Sequence, residues 1–170
     1  MEFNQIEDLS TALEFLASRP GELETVGEPV QGSCELSARY APKAGGVPVR
    51  PPTQAGPAML FEKVMPADRA VVVGIFGTRQ RCASYIGTTH DRAAERLIEA
   101  ARNPISPTRM QHAPAQEIVQ TQNIDLSALP IPVTTLEDAG PYVTLGLSMA
   151  QDSATGDRNI SVHRMCVQGP

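Results

Sequence analysis

Between Gly156 and Met165 the chain places a carboxamide (Asn159), a hydroxyl (Ser161), an imidazole (His163) and a guanidinium (Arg164) within six residues. Such groups can take a carboxylate, a phosphate or a hard cation, although on a solvated hairpin they would do no chemistry. Arg164 falls on the same alternation as Ile160, Val162 and Cys166. A charge on an apolar face usually needs a partner or a ligand. Other candidates are weaker. His90, His112 and His163 share no ligand spacing with one another or with Cys34, Cys82 and Cys166, which argues against a complete metal site inside the chain. A nucleophile elbow at Gly146-Leu147-Ser148-Met149-Ala150 would need a strand-to-helix turn and a later, well-separated acid and histidine. Ser148 instead belongs mid-strand, with His163 on the neighbouring strand. Gly74-Ile75-Phe76-Gly77-Thr78 lacks the lysine and spacing of a phosphate loop.

The elements that must carry these residues follow from periodicity. Tyr142 to Ala150 alternates Val143, Leu145, Leu147 and Met149 with Thr144, Gly146 and Ser148, a period-two strand with one apolar and one small, polar face. Asp152 to Asp157 supplies the turn and Ile160 to Val167 the returning strand. Upstream, Leu9, Ala12, Leu13 and Leu16 form a helical stripe with Asp8 as N-cap, stopped by Pro20-Gly21. Glu22 to Val26 reads as a strand and Ser33 to Tyr40 as a weaker helix. Pro42 to Pro57 carries proline and glycine at loop density. Ala58 to Val64 and Ala70 to Phe76 read as buried strands. Thr78 to Ile86 reads as a short helix, and Thr89 caps a helix bearing Ala94, Leu97, Ile98 and Ala101 on one side. Glu117 to Gln122 is expected as a strand, and Asp125 to Leu129 as one helical turn. The pattern is α/β (α+β), with an N-terminal α/β domain over 1–114 and a second, β-rich domain beginning at 115–170.

Bulk properties exclude several classes. The formal net charge of −5 gives no basic field for nucleic acid or an anionic membrane surface. The longest strongly apolar run, Ala70 to Phe76, is far short of a membrane span. The acidic, polar N-terminus does not read as a secretion signal, and three scattered cysteines suit reduced thiols in the cytoplasm.

The stretch around Arg164 resembles the UbiD family of decarboxylases, and the likeness extends along the chain in order. Asp138-Ala139-Gly140-Pro141-Tyr142 with Thr144 and Gly146 is similar to the family's entry into its flavin-binding domain, a split β-barrel. Arg158-Asn159-Ile160-Ser161 through Arg164-Met165 resembles its cofactor strand. Gly21-Glu22-Leu23, Glu28-Pro29-Val30, Pro57-Ala58, Leu60-Phe61-Glu62, Val64, Gly74 with Phe76-Gly77-Thr78-Arg79, and Leu129-Pro130-Ile131-Pro132 resemble earlier landmarks.

The resemblance implies a prenylated FMN whose azomethine ylide adds to an aromatic or α,β-unsaturated acid before CO2 leaves. It also implies a divalent metal, usually Mn2+, and a K+ ion at the cofactor phosphate. A UbiX-like flavin prenyltransferase would supply the cofactor, and the full-length protein would be a homo-oligomer. By position, Asn159 matches a carboxamide metal ligand and Ile160 offers a carbonyl near the potassium. Ser161 and Val162 would line the flavin and Thr144 would face it. Arg164 matches the arginine set against flavin and substrate carboxylate, a role suited to its planar fork. His163 receives no role. Strict alternation puts Asn159 and Arg164 on opposite faces, so a common cofactor requires Asn159 in the turn or a bulge between them. The histidine and glutamates that complete the family's site lie beyond the matched region, so the 170-residue chain alone is expected to be inactive. Two other readings stand beside this one: a non-catalytic docking or assembly module, or split subunit, of a UbiD-like complex, and a split barrel using unmodified flavin.

Overall fold

In the computed structural model of the chain, residues 6–44 and 56–169 are described. They pack as two compact units. The first draws on Met1–Val26, Tyr40–Leu60 and Val72–Ile124, the second on Gly27–Arg39, Phe61–Val71 and Asp125–Pro170. Helices and strands are mixed, as the periodicities require.

In the first unit, α1 (Leu9–Ala17) starts at Asp8, whose Oδ1 accepts from the Thr11 amide at 2.8 Å. Thr11 Oγ1 accepts in return from the Asp8 amide at 3.1 Å, which satisfies two orphan donors at once. The buried face is Ala12, Phe15 and Leu16, whereas Leu9 is exposed. The stripe therefore turns toward Phe15 rather than Leu9. Strand β1 (Leu23–Val26) is joined by the start of β3 (Ala58–Met65), where the Ala58 amide donates to the Glu22 carbonyl at 2.9 Å. Ala58 and Ile75 complete the core around α1, with Leu23, Val72 and Tyr85 packed against it.

The second apolar run ends as a strand at Val73, not at Phe76: β4 covers Arg69–Val73. Gly74 takes φ +74° and packs so closely on Tyr40 that a Cβ there would collide with the phenol ring. The chain turns, and α3 (Arg79–Tyr85) opens with Thr78 Oγ1 accepting from the Arg81 amide at 3.1 Å. Arg81 is buried yet satisfied. It donates to Glu22 Oε2 at 2.8 and 3.0 Å, to the Gly74 carbonyl at 2.7 Å and to the Gly56 carbonyl at 2.6 Å.

Thr89 makes no side-chain cap bond. A 3-10 turn over His90–Arg92 precedes α4 (Ala93–Arg102). Leu97 and Ile98 on its apolar stripe remain more than half exposed. A hollow of about 500 Å3 lies beside Leu97, lined also by Phe76, Cys82, Tyr85, Ile86 and Ala94.

In the second unit, β2 (Val30–Gln31) pairs in parallel with β3, Val30 opposite Val64. Strand β4 also pairs with β3. Helix α2 (Glu35–Lys43) accommodates Pro42 in its last turn, so it runs past the expected end at Tyr40. The expected loop over 42–57 lies, from 45 to 55, outside the described residues.

Glu117 to Gln122 is not a strand. A 3-10 turn spans Pro114–Gln116, and Ile118 and Val119 are 90% and 71% exposed. A strand persists only where its backbone groups find a neighbour, and among the described residues none is provided there. The expected turn near Asp125 is present over Leu126–Ala128, with Asp125 Oδ1 accepting from the Ser127 amide at 2.8 Å.

Candidate functional site

The site is built on the hairpin of β5 (Tyr142–Gln151) and β6 (Arg158–Cys166). Its tip is closed by Asp152, whose Oδ1 accepts from Ala154 and Thr155 amides at 2.7 and 2.9 Å, and by Gly156 at φ +78°. Its foot is held by two backbone bonds: Tyr142 N donates to the Pro132 carbonyl (3.1 Å) and Val167 N to the Pro141 carbonyl (2.9 Å). Val133 in turn bridges to Ser33, donating to the Gly32 carbonyl and accepting from the Cys34 amide at 2.8 Å. The Leu129-Pro130-Ile131-Pro132 run thus delivers the hairpin to a defined place within its unit.

The register runs from Gln151 opposite Arg158 to Gly146 opposite His163, then resumes with Val143 opposite Met165. Two β5 residues, Thr144 and Leu145, therefore face one β6 residue, Arg164. That is a β-bulge on β5, which increases local twist and re-aims side chains at the hairpin foot.

The expected site residues divide accordingly. Ile160, Val162 and Arg164 share one face of β6, and Leu147 and Met149 stand opposite Val162 and Ile160. Asn159 and Ser161 occupy the other face, opposite Ala150 and Ser148. Asn159 lies in the strand rather than the turn, and the irregularity is on β5, so β6 keeps its alternation between Asn159 and Arg164. Thr144 sits in the bulge. Ser161 Oγ and His163 Nε2 are 2.9 Å apart on the Asn159 face.

Arg164 has found the partner that its position on an apolar face demands. Its Nη2 donates to Asp138 Oδ1 at 2.5 Å, and its Cζ lies 3.8 Å from the centre of the Tyr142 ring. Asp138 is itself oriented, since Oδ2 accepts from the amides of Thr134 (3.1 Å) and Thr135 (3.0 Å). The Arg164 bond foremost, then the backbone bonds, hold the Asp138 carboxyl below the usual aspartate value. The Tyr142 phenol is pushed up, chiefly by the Cys166 thiol. From sequence, Asp138 and Tyr142 stand only as landmarks of the resemblance, with no role at the site. The signal was a charge on an apolar alternation, which announced a partner without naming it.

Chemically, the hairpin offers a guanidinium for a carboxylate and, from Asn159, one carboxamide oxygen for a hard cation. Among the described residues no group of three or more His, Cys, Asp and Glu side chains is arranged to hold a metal. The donor set fits one corner of a metal shell, not a whole one.

Comparison with known proteins gives consistent matches. The 3-octaprenyl-4-hydroxybenzoate carboxy-lyase N-terminal domain matches residues 16–101, and the Rift-related domain of the same carboxy-lyase matches 107–170. Gallate decarboxylase of Lactiplantibacillus plantarum is 29% identical over 168 residues, 95% of this chain and 34% of that protein. The apo 3,4-dihydroxybenzoic acid decarboxylase of Enterobacter cloacae has a TM-score of 0.85 and 34% identity, over 98% of this chain and 36% of that one. An evolved dimeric form of the UbiD-class enzyme HmfF from Pelotomaculum thermopropionicum, in complex with prFMN, has a TM-score of 0.83 and 34% identity, over 95% and 36%. The α/β fold class is borne out by these superpositions. The chain spans about a third of the length of these relatives.

Proposed function

Because the chain belongs to the UbiD family of carboxy-lyases, we propose that it is the N-terminal portion of a decarboxylase that uses prenylated FMN. The reaction is reversible loss of CO2 from an aromatic or α,β-unsaturated carboxylic acid. Relatives named for gallate and 3,4-dihydroxybenzoate make hydroxybenzoates the first acids to try. In this reading residues 1–114 are the N-terminal α/β domain and 115–170 begin the flavin-binding split barrel. Prenylated FMN comes from a UbiX-like prenyltransferase, and the full-length protein is a homo-oligomer of the cytoplasm. Among the described residues no helix is long and apolar enough to cross a membrane.

The observation that carries the reading is Arg164, aligned by Asp138 and Tyr142 yet still half exposed. The bound cofactor would supply the electron sink for carbon–carbon cleavage. Arg164 would orient and neutralise the substrate carboxylate through its free N–H donors. Asn159 would contribute its carboxamide to Mn2+ at the cofactor phosphate, with the Ile160 carbonyl near K+. Thr144, Ser161 and Val162 would line the flavin. Because Asn159 and Arg164 occupy opposite faces of β6, phosphate and reacting ring would meet different sides of the strand. CO2 leaves without a proton, and the vacated carbon takes one from acids outside this hairpin.

The test is reconstitution of the native gene product with prenylated FMN and Mn2+, followed by assay of CO2 release from 3,4-dihydroxybenzoate and an acrylic acid. Arg164→Ala should lose roughly a hundredfold or more in turnover while retaining flavin. Turnover without the cofactor, or an undiminished rate in that variant, would reject the reading. The 170-residue chain alone should be silent.

One observation favours the alternative of a non-catalytic docking or assembly module, or split subunit, of a UbiD-like complex. Leu145, Leu147, Met149, Ile160 and Val162 leave the hairpin's apolar face exposed. Stoichiometric capture of a UbiD-like chain, with no gain in its turnover, would select that reading.

A further inference from the structure

Arg164 is held by two groups, the Asp138 carboxylate and the Tyr142 ring. Asp138 is only 11% exposed in its side chain, while that of Arg164 is 53% exposed. The ion pair therefore sits at a boundary, with the carboxylate inside and the guanidinium reaching out. Asp138 spends Oδ2 on the Thr134 and Thr135 amides and presents Oδ1 to a single guanidinium nitrogen, Nη2. A guanidinium has five N–H donors in one plane. One anchored end and one stacked face fix that plane while leaving donors free. The Tyr142 ring supplies the stacked face, and its backbone is tied to the Pro132 carbonyl at the hairpin foot. The bulge at Thr144 and Leu145 of β5 lies directly opposite Arg164, and a bulge of this kind increases the local twist there.

We propose that Asp138 and Tyr142 are positioning residues for Arg164, fixing its guanidinium so that the unoccupied N–H edge receives a substrate carboxylate in one orientation. The proposal rests on the role given to Arg164 under the proposed function. Asp138 touches neither substrate nor cofactor. It acts through Arg164 alone, and its negative charge would weaken rather than strengthen binding of an acid. The expected signature is accordingly a fall in kcat without a rise in KM.

Two measurements test this. In the 15N-labelled full chain, the Arg164 Nε–Hε resonance should be sharp. It should broaden and move toward the free-arginine position in Asp138→Asn, and shift by loss of the ring current in Tyr142→Leu. In the native gene product loaded with prenylated FMN and supplied with 3,4-dihydroxybenzoate, Asp138→Asn should lower kcat about tenfold with KM within about twofold. Asp138→Glu should recover part of the loss. An Arg164 resonance unchanged in both variants overturns the proposal. So does a lowered KM at constant kcat, which would make Asp138 a competitor of the substrate. If Asp138→Asn does not fold, Tyr142→Leu carries both readouts. If the unaltered protein shows no turnover but the resonances change as described, the anchoring of Arg164 stands and only the decarboxylase reading falls.

Discussion

The α1–β1–α3 region and the β5–β6 hairpin use similar residues to opposite ends. In the first, Phe15, Leu16, Ala58 and Ile75 are buried together, and even an arginine, Arg81, is enclosed with its donors matched to Glu22 and two carbonyls. In the second, Leu147 faces Val162 and Met149 faces Ile160 across a regular ladder, yet all four remain exposed. A hairpin needs only its turn and its register to be specified, whereas a core needs elements from distant parts of the chain. The two arginines make the same point. Arg81 is spent on structure, while Arg164 is fixed at one end and free at the other. In the proposed reading, chemistry is placed where packing contributes least, and stability is supplied elsewhere.

Substitutions can break this contrast. Leu16→Ala should cost about 3 kcal/mol in urea unfolding, since a fully buried side chain leaves a cavity. Arg81→Met should cost roughly 2 kcal/mol, because it strands the Gly74 and Gly56 carbonyls while Glu22 recovers some solvation. A neutral effect there would mean that the buried network is ornamental.

The regions should also differ at opposite ends of the pH scale. Burial raises the Tyr85 phenol from 10.0 to about 12, and its hydroxyl donates to the Ile75 carbonyl. A raised pKa contributes stability below the unfolded value, and this is lost as pH climbs from about 10 toward 12. Tyr85→Phe should flatten that alkaline limb. Asp138 is shifted the other way, so its contribution is present above its unfolded value and disappears on acidification below about pH 4. Asp138→Asn should remove that dependence, read from the Tyr142 ring resonances. Smallest of all, Leu147→Ser should move stability by no more than about 0.5 kcal/mol, as for an exposed site. A large loss there would show that the hairpin's apolar face is already covered in solution.

Much of the fold was legible from local chemistry. Asp8 caps the helix that follows it, a short helix lies within 78–86, and the alternation from Tyr142 onward gives a strand and its return. Errors arose where a local pattern needed a distant partner. Ile118 and Val119 have strand propensity but, among the described residues, no neighbouring strand, and Leu97 and Ile98 form a stripe without full burial. Strand β4 stops at Val73, where Gly74 turns at φ +74° packed against Tyr40, thirty-odd residues upstream.

At the site, the sequence by itself determined that Ser161 and Arg164 would lie on a returning strand, and that Arg164 would need a partner; that Asn159 lies on the strand too, and not in the turn, came from the structure. The first two conclusions depend on spacing and solvation, which act within a few residues. Only the tertiary structure decided that the partner is Asp138, twenty-six residues away, and that a bulge at Thr144 and Leu145 faces the guanidinium. The pairing exists because Val133 docks beside Gly32 and Cys34, Tyr142 is tied to Pro132, and the two strands slip by one residue between Val143 and Gly146. A contact between distant side chains is the product of every backbone pairing between them, and no local period encodes that product.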